Sequence, residues 1–210
     1  MREDDRSVVS AYFRDYQIRK LHIGCGSNVL DTWLNSDFSP QTPGIVHLDA
    51  AQRFPFEDCQ FDFVFSEHMI EHISFSQGLL MLSECYRVLK EKGKIRISTP
   101  DLCFLLELYK ADKSDFQKEY IRWSTETFIP DAPYDDAIFV INNFVRDWGH
   151  LLIYDENTMQ YALRKAGFSQ ITRCPLNASD DEVLRNLENE ERLPPGFLRL
   201  ETMTFEATKA

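Results

Sequence analysis

The chain has 210 residues, a length that fits one domain with a full hydrophobic core. Its formal net charge of −11 disfavours binding to the phosphate backbone of nucleic acids. No apolar run approaches the roughly 20 residues needed to span a bilayer, and the N-terminal segment MREDDRSVVS opens with charged residues. These properties predict a cytoplasmic protein with no membrane partner.

Apolar periodicity predicts strands and helices that alternate along much of the chain. The predicted strands cover residues 19–23, 34–37, 45–48, 61–66, 94–100, 168–176 and 197–209. The predicted helices of this pattern cover residues 7–17, 77–89 and 157–166, the second ended by Gly93 and the third capped by Asp155 and stopped by Gly167. The pattern indicates a Rossmann-like, doubly wound α/β sheet of seven mostly parallel strands, with an antiparallel C-terminal strand.

Residues 102–150 do not continue the alternation. They contain helical stretches, a proline-broken loop and an aromatic, amide-rich run. We predict one domain over residues 1–210 in which this segment is a helical insertion that covers the substrate. The alternative is that its helices only complete the core. A charged segment at residues 180–196 predicts a solvated helix and loop.

The turn at residues 24–26, Gly-Cys-Gly, follows the first predicted strand. It lacks the third glycine of the dinucleotide fingerprint, which disfavours a pyrophosphate cofactor. The next strand ends at Asp37, whose carboxylate can accept hydrogen bonds from both hydroxyls of a ribose. Too few residues separate the two strands for a full crossover helix. The pattern therefore favours a nucleoside ligand, although Asp37 could instead form a turn before Pro40.

Six segments, in this order and spacing, resemble class I S-adenosylmethionine-dependent methyltransferases, and most closely the small bacterial, type 11-like methyltransferases with a short glycine-to-acid spacing. They are LHIGCGSN, WLNSD, LDAAQRFPFED, FDFVFSEHMIEHI, SECYRVLKEKGKIRISTPDL and WGHLLIYDENTMQYALRKAGF. The resemblance covers roughly residues 20–175 and implies S-adenosyl-L-methionine as the cofactor.

The resemblance also implies which residues contact the cofactor. The glycine turn would face the methionine part, Asp37 the ribose, and Asp49 with Ala50 the adenine edge. The wall between cofactor and acceptor would follow the fourth strand and include His68. The full set of predicted cofactor contacts is Gly24, Cys25, Gly26, Asp37, Asp49, Ala50, Ser66 and Glu67. Because the first crossover is shorter than in the broad superfamily, Asn35 is a second candidate for the ribose.

Residues 68–72, His-Met-Ile-Glu-His, match the H-x-x-E-H pattern of zinc peptidases. Two histidines four residues apart on a helix can bind one metal ion, with the glutamate as a base. The segment follows a buried strand, however, where the methyltransferases also commonly carry a Glu-His pair. We therefore predict no metal, and we expect a structural, hydrogen-bonded role for His72.

Methyl transfer depends mainly on positioning, which supplies roughly 7 to 11 kcal/mol, against about 3 to 5 kcal/mol from a general base. For a hydroxyl acceptor, a histidine with a pKa near neutrality is a suitable base. His150 is the first candidate because it ends the insertion, and His68 is the second. Anchoring of the insertion is the competing role for His150. Candidate contacts to a polar acceptor such as a sugar are Asn142, Asn143, Arg146, Asp147 and Trp148.

The sequence thus predicts an S-adenosylmethionine-dependent methyltransferase that acts on a small-molecule or glycan acceptor, at oxygen. Methylation of nucleic acid is disfavoured, because the Asn- or Asp-Pro-Pro-aromatic motif is not found after the fourth strand, where the chain reads FSEHMIEH. The alternative is a non-catalytic nucleoside-binding protein with a partner-interaction or regulatory role.

Overall fold

The computed structural model describes residues 2–210 and is built around a seven-stranded sheet. Its strands are β1 (Lys20–Ile23), β2 (Leu34–Asp37), β3 (Val46–His47), β4 (Phe61–Glu67), β5 (Leu89–Pro100), β6 (Phe168–Cys174) and β7 (Thr202–Lys209). Their order in the sheet is β3-β2-β1-β4-β5-β7-β6. Six strands are parallel, and β7 runs antiparallel between β5 and β6. The predicted fold class is confirmed.

Seven α-helices accompany the sheet within residues 2–210. They are α1 (Glu3–Asp15), α2 (Phe75–Val88), α3 (Leu102–Tyr109), α4 (Asp115–Phe128), α5 (Ala137–Arg146), α6 (Glu156–Ala166) and α7 (Phe197–Glu201). None of these helices has the length and apolar character needed to cross a membrane. The predicted limits of α6 are confirmed, since the Asp155 carboxylate accepts from the Thr158 N–H and Gly167 ends the helix at a φ of 108°.

The first crossover is as short as the sequence predicts. Residues 24–33 form turns and contain no α-helix. The Cys25 N–H donates to the Ser36 carbonyl at 3.0 Å, and the Asn28 N–H donates to the Cys25 carbonyl at 2.8 Å. These bonds fold the connection tightly against β2, so the glycine turn and Asp37 lie side by side at one end of the sheet.

Two predicted boundaries are wrong. Helix α2 ends at Val88, and Gly93 lies inside β5 instead of ending the helix. A Cβ atom at Gly93 would lie 2.8 Å from the Lys90 carbonyl oxygen, so close packing of backbone against backbone explains the glycine. The last predicted strand, 197–209, begins instead with α7, and only its second part pairs with the sheet.

The charged segment 180–196 is not the solvated helix and loop that its composition predicts. It contains two 3-10 helices, Glu182–Leu184 and Glu190–Arg192. Leu184 is fully buried, and Glu188 is buried against Arg96 of β5. The Arg96 guanidinium donates to both carboxylate oxygens of Glu188, at 2.7 and 3.0 Å. This ion pair fastens the segment to the sheet.

The hydrophobic core has separate parts. The main cluster joins the sheet to α1, α2 and α6. A second cluster joins the insertion helices to one another and to Phe197 of α7; its buried members are Phe104, Leu105, Leu108, Tyr120, Ile121, Ala137, Val140, Phe144 and Phe197. The insertion therefore has a core of its own, packed over the carboxyl end of β5.

Candidate active site

Two neighbouring cavities lie at the carboxyl ends of the parallel strands. The first, which we call the glycine cavity, has a volume of about 650 Å³. Its walls include five residues predicted to contact the cofactor, namely Gly24, Gly26, Asp37, Asp49 and Ala50. His68, Met69, His72 and Leu151 contribute to its lining as well. A volume of this size is within the usual range for a small-molecule site.

The glycine turn leaves room for a ligand at the wall of this cavity. Gly24 has a φ of +69°, and a Cβ atom there would lie 2.3 Å from Cγ of Met69. Gly26 has a φ of +50°, and a Cβ atom there would meet no other atom within 4 Å. The first glycine is thus required by both backbone and packing, whereas the second leaves open space beside the backbone.

Asp37 is held in a fixed orientation beside the turn. Its Oδ2 accepts from the Gly26 N–H at 3.0 Å, and its Oδ1 accepts from the Ser39 N–H at 2.8 Å. A carboxylate has about four acceptor positions, so two remain for the hydroxyls of a ribose. Asn35 offers no comparable site, because it is buried and its amide bonds to the backbone of Leu30 and Trp33.

Three other predicted cofactor contacts lie outside the lining of the glycine cavity. Cys25 and Ser66 are buried. Glu67 accepts from Asn28 Nδ2 at 3.0 Å and from the Asn189 N–H at 3.1 Å. Glu67 therefore joins the glycine turn to the segment after β6, and its carboxylate is engaged by protein donors.

The second cavity, which we call the aromatic cavity, has a volume of about 240 Å³. Its aromatic walls come from the insertion: Tyr120, Trp123, Phe128, Phe144 and Trp148. Its polar lining includes His68, Glu71, His72, His150, Arg192 and Glu201. Two of these residues, His68 and His72, also line the glycine cavity, so the two cavities share a wall.

The histidines that line the aromatic cavity differ in the hydrogen bonds made by their ring nitrogens. His68 is held at a φ of 45°, its Nε2 lies 2.7 Å from Thr202 Oγ1, and its Nδ1 lies 3.4 Å from Glu71 Oε1. His150 Nδ1 donates to the Phe144 carbonyl at 2.6 Å, which leaves Nε2 as the unprotonated nitrogen. Burial lowers the pKa of His68, His72 and His150, so all three are neutral at pH 7.

Two buried carboxyl groups line the aromatic cavity. Burial raises the pKa of Glu71 to about 8, and Thr99 Oγ1 donates to its Oε2 at 3.0 Å. Burial also raises the pKa of Glu201 to about 7, and the Tyr120 hydroxyl donates to this carboxyl group. For both groups the effect of burial outweighs the positive charge of Arg192, which lowers their pKa. The cavity thus presents little negative charge in mildly acidic solution.

The zinc-peptidase arrangement suggested by residues 68–72 does not form. These residues do not continue one α-helix; only a 3-10 turn at Ile70–His72 is present, and His68 bonds to Thr202. Among residues 2–210, the side chains that could share a metal ion are Glu71, His72 and His150, whose ligand atoms lie within 4.8 Å of one another. This set includes His150, which lies outside the sequence pattern.

Of the residues suggested for a polar acceptor, Trp148 lines the aromatic cavity. Asn142 and Asn143 instead bond within α5 and to Asp147. The sequence does not indicate Arg192 or Glu201 as site residues, because its composition predicts a solvated segment around Arg192 and a strand at Glu201. One available signal was the spacing of Leu184, Leu187 and Glu188, which gives the charged segment a buried side.

Comparison with known proteins agrees with this geometry. Residues 30–97 match the family model of a methyltransferase domain. The fold is similar to that of a SAM-dependent methyltransferase from Archaeoglobus fulgidus, which aligns over 97% of this chain and 94% of its own, with 17% identity and a TM-score of 0.56. No curated protein matches the sequence.

Two further solved structures share the fold. A possible histamine N-methyltransferase from Thermotoga maritima aligns over 99% of this chain and 88% of its own, with 16% identity and a TM-score of 0.51. A methyltransferase from Mesorhizobium loti aligns over 91% of this chain and 90% of its own, with 16% identity and a TM-score of 0.51.

The domain match, the fold and the glycine cavity together define the class. They identify an S-adenosylmethionine-dependent methyltransferase, and the chain resembles the class I, type 11-like members of that group. It is therefore an enzyme whose cofactor is S-adenosyl-L-methionine, as the sequence predicts.

Proposed function

We propose that this enzyme transfers a methyl group to a hydroxyl oxygen of a small-molecule or glycan acceptor bound in the aromatic cavity. The observation that carries the proposal is the shared wall, since His68 and His72 line both cavities. Ligands in the two cavities would then meet across this wall. Holding two reactants in this way is the main source of rate in a displacement reaction.

In this proposal the glycine cavity holds the cofactor, which supplies an electrophilic methyl group when bound. Asp37 accepts the ribose hydroxyls with the two acceptor positions that Gly26 and Ser39 leave free. Asp49 and Ala50 border the adenine, and Gly24 with Gly26 allows close approach of the methionine part. Ser66 and Glu67 do not line the cavity, and in this proposal they make no direct contact with the cofactor.

His150 is the proposed proton acceptor. Its Nδ1 proton is directed to the Phe144 carbonyl, so Nε2 carries the lone pair. Its pKa is lowered by burial, which keeps the ring neutral and able to take the hydroxyl proton at pH 7. His68 is a weaker candidate, because Thr202 and Glu71 face its two nitrogens.

The insertion, residues 102–150, is proposed to cover the acceptor. It supplies the five aromatic walls of the cavity. Tyr120 and Phe144 belong to the insertion's hydrophobic cluster, and Trp123 packs against it. Phe128 and Trp148 make edge contacts with Trp123 and Phe144. Aromatic faces can stack against a sugar or another ring and exclude water from the reacting hydroxyl.

The test is incubation of the purified enzyme with isotopically labelled S-adenosylmethionine and a panel of hydroxyl-bearing metabolites and sugars. We expect a labelled methyl ether, located by fragmentation mass spectrometry. Calorimetry with S-adenosylhomocysteine confirms that the preparation binds cofactor. A preparation that binds cofactor but methylates nitrogen or carbon, or no hydroxyl compound of the panel, contradicts the proposal.

A further inference from the structure

We propose that Arg192 forms an anion subsite in the aromatic cavity, and that the acceptor carries a carboxylate group in addition to its hydroxyl. This inference rests on the proposed function, because it concerns the acceptor of the same cavity. It adds a chemical class of substrate, ring-shaped hydroxy acids, and a residue that selects them.

The first observation is that the guanidinium of Arg192 is not saturated by protein groups. Arg192 ends the second 3-10 helix and lines the aromatic cavity. Its nearest carboxylate oxygen, Glu67 Oε1, is 4.0 Å away, and its guanidinium makes no hydrogen bond to residues 2–210. Arg96, in contrast, directs its guanidinium to Glu188, Glu206 and backbone carbonyls. Arg192 therefore has donors to offer to a ligand.

The second observation is that Glu67 is already engaged. Its carboxylate accepts from Asn28 Nδ2 at 3.0 Å and from the Asn189 N–H at 3.1 Å. At 4.0 Å an ion pair with Arg192 is long, and the Arg192 side chain is about one-third exposed, where such a pair contributes little. Glu67 thus leaves Arg192 available to a second anion.

The remaining lining adds little opposing charge. The pKa values of His68, His72 and His150 are lowered by burial, so these rings are neutral at pH 7. Burial raises the pKa of Glu71 to about 8 and that of Glu201 to about 7, so both are mainly protonated in mildly acidic solution. Arg192 is the one arginine or lysine among the residues that line the aromatic cavity.

The shape of the cavity indicates the kind of anion. The guanidinium is a planar fork that matches the two oxygens of a carboxylate. The cavity, about 240 Å³ in volume, has aromatic walls suited to a single ring. A hydroxyl and a carboxylate on one ring occur in aromatic hydroxy acids and in sugar acids. These two sources share the chemistry that Arg192 would recognise.

The experiment measures binding with S-adenosylhomocysteine present, so that it does not depend on turnover. The probes are two acid and amide pairs: para-hydroxybenzoate with para-hydroxybenzamide, and glucuronate with glucuronamide. We expect one acid to bind about tenfold more tightly than its amide, as a charged hydrogen bond allows. A preference within the benzoate pair indicates an aromatic hydroxy acid as the acceptor, and a preference within the glucuronate pair indicates a sugar acid.

Variants of Arg192 test whether this residue causes the preference for the acid over the amide. Arg192→Gln is expected to abolish the difference between acid and amide, while Arg192→Lys retains part of it. The matched control is Arg199→Gln, which removes an exposed arginine that pairs with Glu190 and should keep the preference. Unchanged affinity for S-adenosylhomocysteine shows that each variant is folded.

Acids that bind no more tightly than their amides in both pairs would overturn the anion subsite. So would a preference that persists in Arg192→Gln. The two proposals fail separately in this design: methylation of neutral hydroxyl compounds without an acid preference removes only the subsite. A clear acid preference in an enzyme that methylates no hydroxyl group removes only the proposed oxygen acceptor.

Discussion

The glycine cavity and the aromatic cavity are built from different kinds of structure. The glycine cavity draws most of its proposed cofactor contacts from residues 23–52, where each follows a short parallel strand. The aromatic cavity combines the insertion, a 3-10 helix, α7 and the residues after β4. The proposed cofactor contacts are thus close together in the chain. The residues of the proposed acceptor site are far apart in the chain and meet only when distant segments pack together.

The two regions are also stabilised differently. Backbone hydrogen bonds stabilise the glycine turn, and the Asp37 carboxylate accepts a hydrogen bond from the N–H of Gly26 in that turn. The aromatic cavity depends on a separate hydrophobic cluster and on the buried pair of Arg96 with Glu188. Breaking a buried pair by removing one partner costs about 3 to 5 kcal/mol. Removal of either Arg96 or Glu188 is therefore expected to be strongly destabilising.

The largest expected effect is on turnover, from His150→Gln. Removal of a general base lowers the rate by about 10²- to 10⁴-fold. Affinity for S-adenosylhomocysteine should stay within about twofold, because His150 lines only the aromatic cavity. Single-turnover kinetics and calorimetry measure the two quantities. The matched control is His47→Gln, since His47 Nδ1 also bonds to a backbone carbonyl, that of Phe38, at 2.8 Å. Equal loss of turnover and cofactor affinity would mean that His150 only anchors the insertion.

The next effect is a dependence of stability on pH. Burial raises the pKa of Glu201 from 4.5 to about 7 in the folded protein. Between these values the folded protein binds more protons than the unfolded chain, so the free energy of unfolding falls as pH rises. The fall is about 3 kcal/mol for this group, since one unit of pKa is worth about 1.4 kcal/mol.

Urea unfolding at several pH values measures this fall. Glu201→Gln should make the fall in the free energy of unfolding less steep between pH 4.5 and 7. The decline that Glu71 contributes, with its pKa raised to about 8 by burial, should remain. A difference in stability between wild type and Glu201→Gln that does not change with pH over this range would show that Glu201 is not buried as described.

A smaller effect is expected in the glycine cavity. Asp37→Ala should weaken cofactor binding by at least about tenfold, because it removes the acceptor for the ribose and a bond to the Gly26 N–H. Asp37→Asn keeps a carbonyl acceptor and should lose less. Asp58→Asn, an exposed carboxylate paired with Arg87, is the control. Calorimetry measures the affinity of each variant for S-adenosylmethionine. Unchanged affinity in both Asp37 variants would mean that the ribose hydroxyls do not bind at Asp37.

The smallest expected effect is that of metal removal. Treatment with a chelator should leave turnover and cofactor affinity unchanged. Glu71 Oε2 already accepts from Thr99 Oγ1, and His150 Nδ1 donates to Phe144. Elemental analysis of the purified protein accompanies the assay. Turnover that is lost on chelation and restored by Zn²⁺ would assign a metal to Glu71, His72 and His150.

Five of the residues predicted to contact the cofactor lie together at one cavity, because their sequence signals are local. A glycine turn and an acid at the end of the next strand are adjacent in the chain, and parallel strands place them at one edge of the sheet. The abbreviated crossover follows from the same spacing. Five of the eight predicted contacts line the glycine cavity. Cys25 and Ser66 are buried, and the Glu67 carboxylate accepts from Asn28 and Asn189, so these three do not line it.

The acceptor side is less accessible from sequence because its members lie far apart in the chain. The charged residues around Glu188 predict that it lies on the surface. It is buried instead, because it pairs with Arg96, which is 92 positions away in the chain. Nothing local indicates that Arg192 or Glu201 faces a cavity. His150 was found because it ends the insertion, but the free state of its Nε2 depends on the Phe144 carbonyl.

The buried pair of Arg96 and Glu188 has a consequence for how substrate choice can change. Glu188 attaches its segment to the sheet, whereas Arg192, four positions later, faces the aromatic cavity. Attachment and selectivity thus reside in different side chains of one short segment. A library confined to positions 192 and 193 should therefore redirect the enzyme to new acceptors while preserving a folded, cofactor-binding protein.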